Sequence, residues 1–99
     1  MSDDFFAPPP FNPDTARQTL ARALRDLKLA ERNGAFEFAG QPVVKASVEG
    51  GMLKLDVVKK PGRSPDWEHV DADDHAKLRR FIDDVKRRVA RWADGRSDD

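Results

Sequence analysis

Residues 43–58 read VVKASVEGGMLKLDVV, an alternation that runs into Gly50-Gly51 and resumes in register beyond it. Two glycines between alternating runs signal a hairpin, because a two-residue hairpin turn needs positive φ at its centre and glycine adopts that without strain. Folding the chain at the pair sets Val48 opposite Leu53, Ala46 opposite Leu55 and Val44 opposite Val57, while Ser47 meets Lys54 and Lys45 meets Asp56. One face of this ribbon is apolar and the other charged. Such a half-buried antiparallel sheet needs a cover on one side only, and helical patterns stand on either side to supply it.

Upstream, Ala35 to Phe38 predicts a short first strand with Phe36 and Phe38 on one face and Glu37 on the other. A two-residue loop at Gly40-Gln41 would pair Phe38 with Val43 on the wrong face, so an odd-length loop or a bulge is expected over residues 39–42. Before that strand, Asn12 can cap a helix whose first position is Pro13 and whose first turn carries Asp14. Ala16, Leu20, Ala23, Leu24 and Leu27 fall on one stripe, and Asn33-Gly34 offers a left-handed stop, predicting a helix over 13–32. Residues 1–11 hold Phe5, Phe6, Pro8-Pro9-Pro10 and Phe11, the composition of an extended polyproline-like arm.

Downstream of Lys59-Lys60, Pro61-Gly62 and Ser64-Pro65 predict a loop reaching to about Val70 and anchored by Trp67. A last helix is expected from Asp71, with Asp71 and Asp74 approximating a capping box and Asp73 adding charge to the first turn. Its apolar stripe is Leu78, Phe81, Ile82, Val85, Val89 and Trp92, opposite Arg80, Asp83, Asp84, Arg87 and Arg91, and Gly95 is its expected stop. The fold expected is α+β in the order α-β-β-β-α: a three-stranded antiparallel meander with both helices packed on one face. That face is made by Phe36, Phe38, Val44, Ala46, Val48, Leu53, Leu55 and Val57. One domain spans residues 12–95, between the arm at 1–11 and a frayed acidic tail at 96–99.

A chain of 99 residues has room for one core. Its 18 basic and 18 acidic side chains balance, so summed charge gives no reason to expect a polyanion or an anionic membrane as obligatory partner. Without cysteine there is no disulfide framework, thiolate metal site or thiol nucleophile, which suits a reducing compartment. The start Met1-Ser2-Asp3-Asp4 is acidic, unlike a secretion signal, and no apolar run approaches spanning length, so a cytoplasmic location without membrane contact is expected.

Possible metal ligands concentrate at Asp66, Glu68, His69, Asp71, Asp73, Asp74 and His75, but the spacing fits neither a zinc nor a calcium template, and the aspartates are already accounted for by the helix start. Ser47, Ser64, Thr15 and Thr19 are the hydroxyl nucleophile candidates, and the sequence sets no imidazole and carboxylate beside any of them. Gly50-Gly51 leads into a strand, whereas a phosphate cradle leads into a helix. A non-enzymatic domain with no cofactor and no metal is the expectation.

Basic residues on the last helix (Lys77, Arg79, Arg80, Lys86, Arg87, Arg88, Arg91) outnumber the acidic ones (Asp73, Asp74, Asp83, Asp84, Asp94), but much of the charge is compensated, Asp83 and Asp84 standing four before Arg87 and Arg88. Arg80, Arg87 and Arg91 nevertheless line its outer surface as the candidate phosphate-contact surface, and with Arg17, Arg22, Arg25, Lys28 and Arg32 of the first helix they make nucleic acid, bound through the outer faces of the two helices, the alternative partner. In element order alone, helix, three antiparallel strands and helix, the chain resembles double-stranded-RNA-binding domains. Those domains begin their second helix with lysines and carry a longer first hairpin loop. Here that helix would begin Asp71-Ala72-Asp73-Asp74 and the loop around Gly40 is short, so no motif residue carries over.

Apolar residues without a place in this scheme are Phe5, Phe6, Phe11, Leu29, Val43 and Val58. The arm folding back over Leu29, or over Val43 and Val58, would bury them, with Phe11 stapling the helix start. Left exposed, the six make the candidate protein-contact surface of an interaction or regulatory domain, whose partner is another protein or a second copy of the chain.

Overall fold

The computed structural model describes residues 11–97. Its central hairpin joins β3 (Gln41–Glu49) to β4 (Met52–Val58) in the register the alternation dictates, with Val44 opposite Val57, Ala46 opposite Leu55 and Val48 opposite Leu53. Gly50 and Gly51 take φ of 59° and 78°, the two positive values of a type I′ turn.

The sheet is larger than the three strands expected. Five strands form one antiparallel meander in the order β1-β2-β3-β4-β5, adding β1 (Ala30–Arg32) ahead of β2 (Ala35–Phe38) and β5 (Trp67–Ala72) after β4. The class is α+β, with helices α1 (Pro13–Asp26) and α2 (His75–Ser97) outside the run of strands.

The first extra strand appears because α1 stops six residues before the expected end. Lys28 enters the left-handed region at φ 69°; its amide donates to the Arg25 carbonyl at 2.9 Å, and the Leu29 amide donates to the Leu24 carbonyl at 3.1 Å. That pair of bonds is a Schellman cap, with the apolar contact it favours supplied by buried Leu24 and Leu29. Asn33 and Gly34, at φ 54° and 79°, then turn the β1-β2 hairpin instead of ending a helix. At the start of α1, Asn12 caps as expected, its Oδ1 accepting from the Thr15 amide at 3.1 Å.

Between β2 and β3 the turn is Ala39-Gly40, again with both φ positive, and the parity conflict is resolved by a bulge. Phe36 pairs with Val44 and Glu37 with Pro42, which leaves Val43 as the extra residue. A bulge re-aims a side chain, and Val43 becomes fully buried.

At the other edge, residues 67–72 pair with β4 where a loop and a capping box were expected. Asp71 is a strand residue opposite Lys54, and the helix cap is Asp74, whose Oδ1 accepts from the Lys77 amide at 2.7 Å. The last helix therefore starts at His75 and continues through Gly95 to Ser97.

Both helices lie on the sheet face expected. Ala16, Leu20 and Leu24 from α1 and Leu78, Phe81, Val85 and Trp92 from α2 meet Phe36, Val44, Leu53, Leu55 and Val57. The Trp92 ring lies 5.7 Å from that of Phe38, and its indole N–H donates to the Lys59 carbonyl at 3.3 Å. Val48, expected on the covered face, is 39% exposed. Pairing with β2 stops at Lys45, so Val48 has a strand neighbour on one side only. No helix among the described residues is long and apolar enough to cross a membrane.

Candidate functional site

Five strands with both helices on one face leave the opposite face open. Alternation from Lys45, Lys54 and Trp67 places Ser47, Asp56, His69 and Asp71 on that open face. Register fixes its polar ladder: Lys45 neighbours Asp56 and Asp56 neighbours His69, while Ser47 neighbours Lys54 and Lys54 neighbours Asp71. His69 Nδ1 lies 2.9 Å from Asp56 and its Nε2 2.5 Å from Asp71, while Lys54 Nζ stands 3.3 Å from Asp71. Hydrogen bonding to Asp56 and then to Asp71 raises the His69 pKa, and the bond from His69 lowers that of Asp71.

The two carboxylates sit on opposite ring nitrogens, so their oxygens do not converge with an imidazole nitrogen on one point. Among the described residues no group of three such side chains could hold a metal ion. The ring is a cross-strand clasp between β4 and β5. Nearby, the Lys45 ammonium lies 4.5 Å from the centre of the Trp67 ring.

A groove of about 340 Å³ lies between β5 and the first turns of α2, lined by Val70, Asp71, Lys77, Arg80, Phe81 and Asp84. Positions 77, 80, 81 and 84 recur at i, i+3, i+4 and i+7, so one stripe of α2 faces the strand. Val70 lies opposite Leu55, on the covered face, yet is 37% exposed because β5 is the edge of the sheet. Most charges around it are matched: Asp71 by Lys54 and His69, Lys77 by Asp73 at 2.7 Å, Asp84 by Arg88 at 2.8 Å. Arg80 has no ion-pair partner among the described residues.

The candidate phosphate-contact residues are divided between two places. Arg80 belongs to this groove, whereas Arg87 and Arg91 line a separate one with Lys59, Glu68, Asp84 and Arg88. There Arg87 is already 3.7 Å from Asp84. Arg88, largely buried, bonds Glu68 and Asp84 and donates to the Val58 carbonyl at 3.0 Å. Burial works against its charge, yet Glu68 and Asp84 outweigh it and hold its pKa above the usual value.

The apolar contact surface expected from the sequence is not assembled at the surface. Leu29, Val43 and Val58 are core residues: Leu29 follows the helix cap, Val43 is the bulge residue and Val58 pairs with Trp67, while the arm expected to cover them lies, but for Phe11, outside the described residues. Phe11 packs partly against the core, its ring 5.3 Å from that of His75 at the start of α2. Phe5 and Phe6 lie outside the described residues. Among the described residues the exposed large apolar side chains are instead Val48 and Val70. Val70 was hidden from sequence reasoning because β5 has weak alternation. The signal available was cross-strand charge: Asp71 falls opposite Lys54, and His69 opposite Asp56. No known protein family, curated protein or solved structure matches this chain.

Proposed function

We propose that the chain is a non-catalytic protein-binding domain that takes an extended acidic and aromatic segment of a partner against the β5 edge and the groove beside it. Val70 carries this proposal: a large apolar side chain on the covered face of an edge strand, exposed beside Phe81 and the unmatched Arg80. An added segment satisfies the outward N–H and C=O groups of β5, its apolar side chains fill the space over Val70, and a carboxylate meets the Arg80 guanidinium. The opposite edge, β1, has only three residues, all exposed and including Glu31 and Arg32, and short charged edges discourage pairing. A cysteine-free chain suits a reducing compartment, and we take the domain to work in the cytoplasm.

The test is an array of immobilised extended peptides that combine Asp or Glu with Phe or Trp, set against versions carrying Lys. Selective retention of the acidic set, abolished by Val70→Lys, is expected. Retention of neither set, or retention unaffected by Val70→Lys, overturns the proposal. Duplex RNA and DNA at two salt concentrations form the control arm. Salt-dependent binding weakened by reversing Arg80, Arg87 and Arg91 would favour nucleic acid as the partner instead.

A further inference from the structure

We propose that the groove beside β5 leads into an anionic subsite, formed by Lys59, Arg87 and Arg91, that takes a phosphorylated side chain of the same partner segment. This rests on the reading of the β5 edge given above and adds a chemical requirement to the segment that binds there.

The two grooves on α2 meet at Asp84, which lines both, with Val70, Arg80 and Phe81 on one side of it and Lys59, Arg87 and Arg91 on the other. β5 and α2 run in opposite directions here: Val70 stands by Arg80 and Phe81, and Glu68, two residues earlier, stands by Arg88. Lys59 enters from the strand side, where its amide donates to the Asp66 carbonyl at 3.0 Å just ahead of β5. A chain laid along the β5 edge over Val70 therefore runs on towards Lys59, Arg87 and Arg91.

Charge decides what that end accepts. Its lining sets four cations, Lys59, Arg87, Arg88 and Arg91, against two carboxylates, Glu68 and Asp84. Both carboxylates are already engaged by Arg88, at 2.5 and 2.8 Å, and Arg87 reaches Asp84 only at 3.7 Å. Lys59 and Arg91 have no ion-pair partner among the described residues. A phosphate monoester carries about −1.5 to −2 at neutral pH and three strong acceptor oxygens, so it answers this surplus where a carboxylate would leave one cation over. A duplex presents a row of phosphates, whereas the cations here are interrupted by Asp84 and in surplus at one end, which suits a single phosphate.

Geometry sets the spacing. Arg87 and Arg91 stand four apart on one side of α2, about 10 and 16 Å along the axis from Arg80, a distance an extended chain covers in about three to five residues. The phosphorylated residue therefore lies three to five positions from the carboxylate that meets Arg80.

Fluorescence anisotropy tests this with extended peptides bearing Phe and Glu and, four residues before or after the Glu, either serine or phosphoserine. In one of the two orders phosphorylation should tighten binding about tenfold. The gain should vanish in Lys59→Gln/Arg91→Gln, at two exposed positions, and persist in Lys60→Gln/Arg63→Gln, which removes the same charge from the neighbouring loop. No gain in either order, or equal loss in the two double variants, overturns the proposal. Displacement of the phosphopeptide by inorganic phosphate at matching concentration, or by duplex RNA or DNA, also overturns it, because the cations then serve a free anion or a nucleic-acid backbone. Binding of the serine peptide without a gain from phosphate removes the subsite and leaves the edge reading standing. Phosphopeptide binding that Val70→Lys leaves unchanged keeps the subsite and removes the edge reading.

Discussion

The backbone amide of Leu29 donates to the carbonyl of Leu24, and the two side chains are buried together in the core. This single link ends α1 and aims the chain into β1, so it decides that the sheet begins one strand earlier than the helical stripe suggests. The residue that makes the turn is Lys28, held at φ 69° where side chains are strained.

Lys28→Gly should therefore raise stability by about 0.5–1 kcal/mol, since glycine takes the left-handed cap position without that strain. Urea denaturation checks it. Were residues 13–32 one helix, the same change would fall in its interior and cost about 1 kcal/mol.

Val43→Ala should cost about 2 kcal/mol, because the bulge turns a fully buried side chain into the core. Val48→Ala, at an exposed position in the same strand, should stay within about 0.5 kcal/mol. Equal losses at the two sites in thermal unfolding would contradict the bulge.

Arg88→Ala should destabilise by about 1–3 kcal/mol, since it strips Glu68 and the Val58 carbonyl of their donor in a site that is only 19% exposed at the arginine side chain. Arg87→Ala, 70% exposed, should change stability by less than about 0.5 kcal/mol. A reversed order in chemical denaturation would show that α2 is rotated relative to the sheet.

The clasp on His69 makes stability depend on pH in a stated direction. A raised imidazole pKa contributes stability that is full below about 6.5 and fades as pH rises through the folded-state value. The lowered Asp71 pKa contributes above about 3.9 and fades as pH falls through its own folded value. The difference between wild type and His69→Gln should therefore be greatest between about pH 4 and 6.5 and decline on the alkaline side. Proton NMR should place the His69 midpoint above about 6.5; a midpoint at or below it removes the clasp.

How far the chain can be read without its structure differs from element to element. Gly50-Gly51 set the register of β3 on β4 because strict alternation leaves one pairing that keeps apolar residues together. The regular stripe of α2, Leu78 through Trp92, likewise put that helix on the correct face. Asn33-Gly34 was ambiguous: positive φ serves a helix stop and a type I′ hairpin equally, and only the three residues before it, pairing with β2, separate the two. The groove was illegible because it needs both β5 and the α2 stripe, and β5 is a strand only through its pairing with β4.

By itself, then, the order of residues determined a sheet with one greasy side, two amphipathic helices to roof it, and the caps and turns at Asn12 and Gly50-Gly51, all of which depend on neighbours a few positions away. Tertiary structure alone decided that the sheet has five strands, that Leu29, Val43 and Val58 go inside, and that Val70 and Arg80 remain at an open edge. The physical reason is that burial at a sheet margin is set by whether another strand or helix arrives alongside, and that is a property of the assembled layers.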